Sequence, residues 1–333
     1  MFQLARINDL RYSGFLRLRR ILRGILMRVF TATLTQMLVL FIFMALGFIL
    51  NKKRLLPQDD SIVLSKLETY VFVPCLVFSV FSKYCTVENF THKWIYMLYG
   101  LAIIVISLPI GVIASKFFAK ETYIRKIYTY SFAVANFSFM GNAVVLGVFG
   151  ENILFDYMIF TLPLNLYVYS IGTASLIPTE SGGKIRLRAF VNPIFISLIL
   201  GAVCGLTAAP LPAFITTAVS SAGACMSPLA MLLTGFVIGE YSIRYLASNK
   251  KVYFASVIRL IILPSLFMAV LIAVKTDNAI IRAALCATAM PLGLNTVVFP
   301  AAYGGDTTPG ASMALISHMI SIVTIPLMFM FYL

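Results

Sequence analysis

The stretch Ala287-Thr288-Ala289-Met290-Pro291-Leu292-Gly293-Leu294-Asn295-Thr296-Val297-Val298-Phe299-Pro300, followed by Tyr303-Gly304-Gly305-Asp306, decides how this chain folds. It is apolar enough to lie in a bilayer, yet it carries two prolines, a glycine and an asparagine where an ordinary spanning helix carries Leu or Ile. Proline lacks the backbone donor and crowds the preceding turn, so Pro291 is expected to leave carbonyls near residue 287 without helical partners. Facing lipid, such a break is too costly to persist. It is tolerated when buried in protein or lining a water-filled cavity, and discontinuous helices of this kind form the midplane sites of many secondary transporters.

The surrounding sequence supports a membrane setting. The 333 residues are 60% hydrophobic and 11% charged, against about 45–50% and about 25% in soluble domains. Mean hydropathy is +0.95. These values describe an all-α polytopic membrane protein with no sizeable soluble domain. The formal charge of +14 does not point to nucleic acid, because the basic residues sit at the ends of apolar runs rather than on one folded patch. Five cysteines (Cys75, Cys85, Cys204, Cys225, Cys286) contain no C-x-x-C, and all but Cys85 lie in apolar runs, so they read as packing residues. No metal, cofactor or redox role is expected.

Ten spans are expected, at 32–50, 62–82, 94–115, 127–149, 153–176, 189–207, 213–239, 252–274, 280–302 and 309–332. The awkward residues inside them repeat. Pro74 answers Pro228, Leu108-Pro109 answers Leu263-Pro264, Gly47 answers Gly201, and Asn142 answers Asn295, all at an offset of 153 to 155 residues. Four pairs at nearly one spacing indicate duplication. Residues 31–177 then form the first five-helix repeat and 189–333 the second, joined by a cytoplasmic linker at 178–188. Because five is odd, the second copy enters the membrane reversed, which makes an inverted repeat with crossing broken helices in spans four and nine.

Charge assigns the sides. Lys52, Lys53, Arg54, Lys116, Lys120, Arg125, Lys126, Lys184, Arg186, Arg188, Arg244, Lys250 and Lys251 fall in the loops after spans one, three, five and seven, whereas the opposite loops hold only Lys83, Lys93, Lys275 and Arg282. The positive-inside rule makes the first set cytoplasmic and puts both termini outside. Residues 1–30, with seven arginines and no lysine, conflict with this. The expectation is a start at Met27; the alternative is a basic leader, amphipathic over 15–30, that changes the topology around span one.

Beyond these patterns, P-L-G-L-N-T-V-V-F-P-A-A-Y-G-G-D at 291–306, Ser317-His318 and Thr324-Ile325-Pro326-Leu327 resemble the C-terminal part of the auxin efflux carrier (AEC) family of permeases. Gly141-Asn142-Ala143-Val144-Val145-Leu146-Gly147 and Tyr70-Val71-Phe72-Val73-Pro74 extend the resemblance over roughly residues 31 to 333. It implies the fold of bile-acid and sodium symporter-like carriers, in which crossing broken helices form the site and one bundle moves against a scaffold. By motif, the implied substrate-binding positions are Gly141, Asn142, Pro291, Gly293, Asn295 and Thr296. Two departures separate this chain from the plant exporters: Gly147-Val148-Phe149 stands where the family often shows G-x-P, and residues 177–188 lack a long cytoplasmic insert.

Read from the residues alone, Asn142 and Asn295 meet near the midplane if spans four and nine cross. Their amides, with freed backbone N–H groups and helix-end dipoles, suit an organic anion. The alternative is that both asparagines only satisfy the broken backbone. His318 in span ten is either a proton-coupling group or a neutral histidine bonded to a helix carbonyl. Asp156 in span five is the acidic coupling candidate by position. Lys66 and Glu68 read as interfacial groups, and Arg259 in span eight needs a partner, Glu240 or a lipid phosphate. Phe72, Phe78, Tyr167 and Tyr169 either line an apolar cavity or pack.

The expected function is secondary transport of a small organic anion, malate- or malonate-like or auxin-like, across the cell (cytoplasmic) membrane by alternating access. Coupling to protons is the leading expectation. A sodium-coupled symporter or cation exchanger is the alternative within the carrier class. Partners are the anion, membrane lipid and protons or sodium, with monomer and homodimer both open. An enzyme is not expected, because there is no H-E-x-x-H or G-x-S-x-G and only His92 and His318. A receptor would want a soluble sensing domain, and the chain has no room for one.

Overall fold

The computed structural model describes residues 2–57, 60–176, 193–303 and 305–333. The linker expected at 178–188 lies outside the described residues, as do the side chains of 2–23. Among the described residues the helices group into ten spans, and six helices are long and apolar enough to cross a membrane: Leu26–Lys52, Ser61–Tyr84, Ile95–Phe118, Ala213–Glu240, Lys250–Ala273 and Thr308–Tyr332. Span one belongs to one continuous helix, Phe2–Lys52. At 1.5 Å per residue that helix is about 76 Å long, more than twice a hydrocarbon core of about 30 Å. The residues before span one therefore continue its direction, with no break that turns them into the membrane plane.

The repeat is visible in the packing. Span one lies against the second half of span seven (Met226–Glu240), and span six (Pro193–Thr207) lies against the second half of span two (Val73–Tyr84). These two contacts exchange under the expected duplication. Span three (Ile95–Phe118) packs on spans four and five, and span eight packs on spans nine and ten, which again exchange. Spans one, two, six and seven thus form one group and spans three to five with eight to ten form another.

Glycines set the closeness of the first group. A Cβ on Gly47 would lie 1.9 Å from the Leu232 carbonyl oxygen, and one on Gly235 would lie 1.8 Å from that of Met44, so the two backbones of spans one and seven touch in both directions. Gly201, the repeat counterpart of Gly47, stands in the same relation to span two, where a Cβ would meet the Phe78 carbonyl oxygen at 2.9 Å. Small residues let membrane helices approach at backbone distance, where packing and polar contacts hold them without a hydrophobic drive.

The paired prolines are accommodated in different ways. A π-helical turn at Glu68–Phe72 precedes Pro74, and another at Ile258–Ile262 precedes Pro264. The wider turn relieves the clash and absorbs the missing donor. Pro228 instead follows a helix end at Ala224, and Pro109 sits inside the unbroken helix of span three. The duplication therefore preserves the prolines without preserving the local backbone.

Gly235→Val is expected to cost about 1–3 kcal/mol through overpacking against span one, read as a lower thermal midpoint of the purified protein. Gly24→Val, where a Cβ meets nothing within 4 Å, should leave the midpoint unchanged. Equal midpoints for wild type and Gly235→Val would contradict the close contact.

Candidate functional site

Spans four and nine are both broken. Span four stops at Ala133 and restarts at Phe137, first as a π-turn (Phe137–Gly141) and then as an α-helix (Asn142–Phe149). Span nine stops at Thr288 and restarts at Asn295. The two gaps meet as an isolated antiparallel bridge between Ala135 and Leu292, with the Asn136 N–H donating to the Pro291 carbonyl at 2.8 Å. An antiparallel bridge is what opposite insertion of the two repeats demands.

Side chains complete the freed backbone. The Tyr157 hydroxyl donates to the Phe137 carbonyl at 2.7 Å, and the Leu292 N–H donates to Ser317 Oγ at 3.2 Å. Gly141 is needed beside Tyr157, since a Cβ there would lie 2.2 Å from its hydroxyl oxygen. Asn136 makes the densest set of bonds: its Oδ1 accepts from the Met140 N–H at 3.3 Å, and its Nδ2 lies 3.1 Å from His318 Nε2. His318 Nδ1 lies 2.8 Å from the Ala314 carbonyl, which can only accept. Nδ1 therefore carries the proton, and Nε2 accepts from the Asn136 amide. This matches the neutral, carbonyl-bonded reading of His318, a side chain with no exposed surface.

The implied substrate positions separate into two sets. Pro291 supplies the bridge carbonyl, Gly293 lets the Val134 carbonyl and the Tyr130 ring come close, and Thr296 Oγ1 bonds the Gly293 carbonyl at 2.9 Å. Asn295 Nδ2 donates to the Tyr130 hydroxyl at 2.6 Å. These residues, with Gly141, build the crossing. Asn142 does not meet Asn295 there. The chains run antiparallel through the bridge, so the two asparagines lie on opposite sides of it, and the residues that meet are Asn136 and Pro291. The repeat offset misleads because span four restarts five residues before Asn142, whereas span nine restarts at Asn295 itself.

Asn142 instead lines a small cavity between the two groups of spans. Val73, Val77 and Phe81 of span two and Ile194, Phe195 and Leu198 of span six form its apolar wall. Ser138, Asn142, Thr161 and Asn165 form its polar wall. The amides of Asn142 and Asn165 make no hydrogen bond within the described residues. The cavity holds about 20 Å³, room for about one water molecule. Phe72, Phe78 and Tyr167 are not among its lining residues; Tyr167 stacks on Tyr130 with ring centroids 6.4 Å apart. The side chain of Tyr169 lies outside the described residues.

The remaining candidates have other surroundings. Asp156 is ion-paired with Lys93 at 2.5 Å, and that ammonium also lies 5.6 Å from the Phe155 ring centroid. Lys83 and Tyr84 bind Glu151 in the same region, at 2.5 and 2.9 Å. Both ion pairs tie the outer connection between spans two and three to the start of span five. Arg259 is buried, with no ion pair to Glu240 or any other carboxylate among the described residues, and its Nε has no partner. Glu68 is fully buried rather than interfacial. A larger cavity, about 540 Å³, lies away from the crossing between the loops at 119–121, 245–251 and 306–309, on the side assigned to the cytoplasm. Its rim carries both signs, from Lys120 and Lys251 to Glu121 and Asp306.

Sequence reasoning missed Asn136, Thr161 and Asn165. Asn136 had a signal in its place directly before the restarted helix, at the head of N-F-S-F-M-G-N, where an asparagine caps the new N-terminus. Thr161 and Asn165 had none beyond being polar residues one helical turn apart in an apolar span.

A family model described as Membrane transport protein (Mem_trans) matches residues 32–186 and again residues 177–329. Two matches in tandem accord with two copies of one unit. No curated protein matches the chain.

Removing the Asn136 amide strands two buried groups, the Met140 N–H and His318 Nε2, so Asn136→Ala should destabilise the protein by about 1–3 kcal/mol. Combined with His318→Ala, the loss should fall short of the sum of the single losses, as for residues in one network. Thermal unfolding of the four proteins measures this, and strict additivity would contradict the network.

Proposed function

From the premise that this chain belongs to the membrane transport protein family, in which the auxin efflux carrier permeases stand, and is a membrane transporter, we propose that it moves a small organic acid anion across the cell membrane by alternating access. The binding place is the seam at Asn142. The observation that carries this reading is the cavity in which two unbonded amides and two hydroxyls on spans four and five face an apolar wall on spans two and six.

The chemistry of that wall narrows the substrate. Ser138, Asn142 and Asn165 supply donors without a fixed charge, while the Thr161 hydroxyl donates to the Met158 carbonyl at 3.3 Å, and the helix restarting at Phe137 directs its positive end toward the same region. Among the described residues, no carboxylate and no basic side chain lines the cavity. A carboxylate with an apolar body is therefore favoured over a dicarboxylate, whose second charge would be buried without a partner. At about 20 Å³ the seam is closed on itself, so substrate enters only when the two groups of spans move apart. Spans one, two, six and seven act as the scaffold, and the group holding the crossing moves against them. Asn142 touches substrate, while Gly141, Pro291, Gly293, Asn295 and Thr296 hold the crossing in shape.

Counterflow in proteoliposomes with indole-3-acetate, benzoate, malate and malonate tests this. Exchange of a monocarboxylate is expected, and Asn142→Ala should raise its half-saturation concentration about tenfold, as for losing one hydrogen bond to a charged group. Unchanged half-saturation in Asn142→Ala would remove the seam as the binding place.

A further inference from the structure

Glu68 is the first residue of the π-turn in span two, and it has no exposed surface. Neither carboxylate oxygen has a hydrogen-bond partner among the described residues. It lies eight residues from the start of its helix at Asp60, about 12 Å in from the cytoplasmic end. An ionised carboxylate in that setting costs several kcal/mol with nothing to offset it. The group is therefore a neutral carboxylic acid in this conformation.

Its neighbours give the position meaning. The π-turn packs on span six, on both halves of span seven and on the rest of span two, while the segment just before it (Asp60–Leu67) packs on the second half of span nine (Asn295–Tyr303). The side chains of Asp60 and Tyr303 lie outside the described residues; the other titratable groups in those packed elements are Cys204 in span six, Cys225 and Glu240 in span seven, and Lys66, Tyr70, Cys75, Lys83 and Tyr84 on span two itself. None of them bonds or ion-pairs with Glu68. Span two belongs to the scaffold, and the half-helix Asn295–Tyr303 belongs to the moving group and runs from the crossing to the cytoplasmic side. Glu68 thus stands beside the cytoplasmic part of the seam, while Asn142 lies on the other side of the crossing.

We propose that closure of the cytoplasmic part of the seam requires a proton on Glu68. This rests on the carrier reading above. When the moving group withdraws, water reaches Glu68, the carboxylic acid gives its proton to that water, and a carboxylate remains. The seam cannot close again over the unpaired charge, so one proton must be taken up before the conformation described here returns. Asp156, already paired with Lys93, and His318, already bonded on both ring nitrogens, have no such vacancy.

The test uses the full-length protein in lipid and two independent readouts. Infrared difference spectra of wild type against Glu68→Gln at neutral pH should show the carbonyl stretch of a protonated carboxylic acid in the wild type alone. If the glutamine variant does not fold, Glu68→Ala serves for the same subtraction. In proteoliposomes, the counterflow rate of the best-exchanged acid of the four above should fall in the wild type as the pH on the cytoplasmic face is raised, and Glu68→Gln should keep counterflow and lose that fall. Absence of the protonated band overturns the proposal, and so does a pH dependence of counterflow that is unchanged in Glu68→Gln. Failure of the wild type to exchange any acid counts instead against the carrier reading, and the infrared band still reports the state of Glu68.

Discussion

In a hydrocarbon interior every backbone N–H and C=O must find a partner within the protein. The crossing of spans four and nine depends on that constraint. Each helix is interrupted, and each interruption supplies what the other lacks: Asn136 N–H meets the Pro291 carbonyl, and Tyr157, Ser317 and Asn136 complete the remaining groups. Neither break is tolerable without the other. The inverted repeat follows from the same requirement, because an antiparallel bridge forms only between chains that enter from opposite sides.

The two groups of spans divide the work. Spans one, two, six and seven are locked by backbone contact at Gly47, Gly235 and Gly201, which leaves them little freedom to slide. The other group carries the crossing and meets the scaffold across a seam that is apolar on one wall and polar on the other. Such a seam can part at modest cost, since the side chains of one wall are apolar. In the proposed cycle a substrate with a carboxylate and an apolar body would satisfy both walls, and the buried acid at the cytoplasmic part of the seam would make closure depend on protonation.

Much of this was legible in the residues. Pro291, Gly293 and Asn295 in an apolar run predict a broken helix, and the spacing of Gly47 to Gly201 and of Asn142 to Asn295 predicts two inverted copies. Helix breaks are local chemistry, written where they occur. The register in which two breaks meet is not local, so the spacing paired Asn142 with Asn295 while the bridge pairs Asn136 with Pro291. The polar wall has the same history: Thr161 and Asn165 join Asn142 only because span five packs on span four. Glu68 lay in a segment with Lys66 and Thr69 that resembles a water-facing helix end. Its burial comes from the side of span two that faces spans six and seven, a contact between residues far apart in the chain.

The central claim is that the interrupted segments of spans four and nine touch at residues 135 and 292. The direct test is disulfide formation between cysteines placed at Ala135 and Leu292 in a background lacking the five native cysteines, oxidised in intact membranes, with the Lys83→Cys, Glu151→Cys pair, whose longer gap is bridged by a bis-maleimide, as the positive control. Cross-linking of the 135 and 292 pair is predicted, because opposed residues in an antiparallel bridge bring their Cα atoms to about 4.5–5.5 Å. No cross-link there, under conditions in which the control pair links, would contradict the crossing.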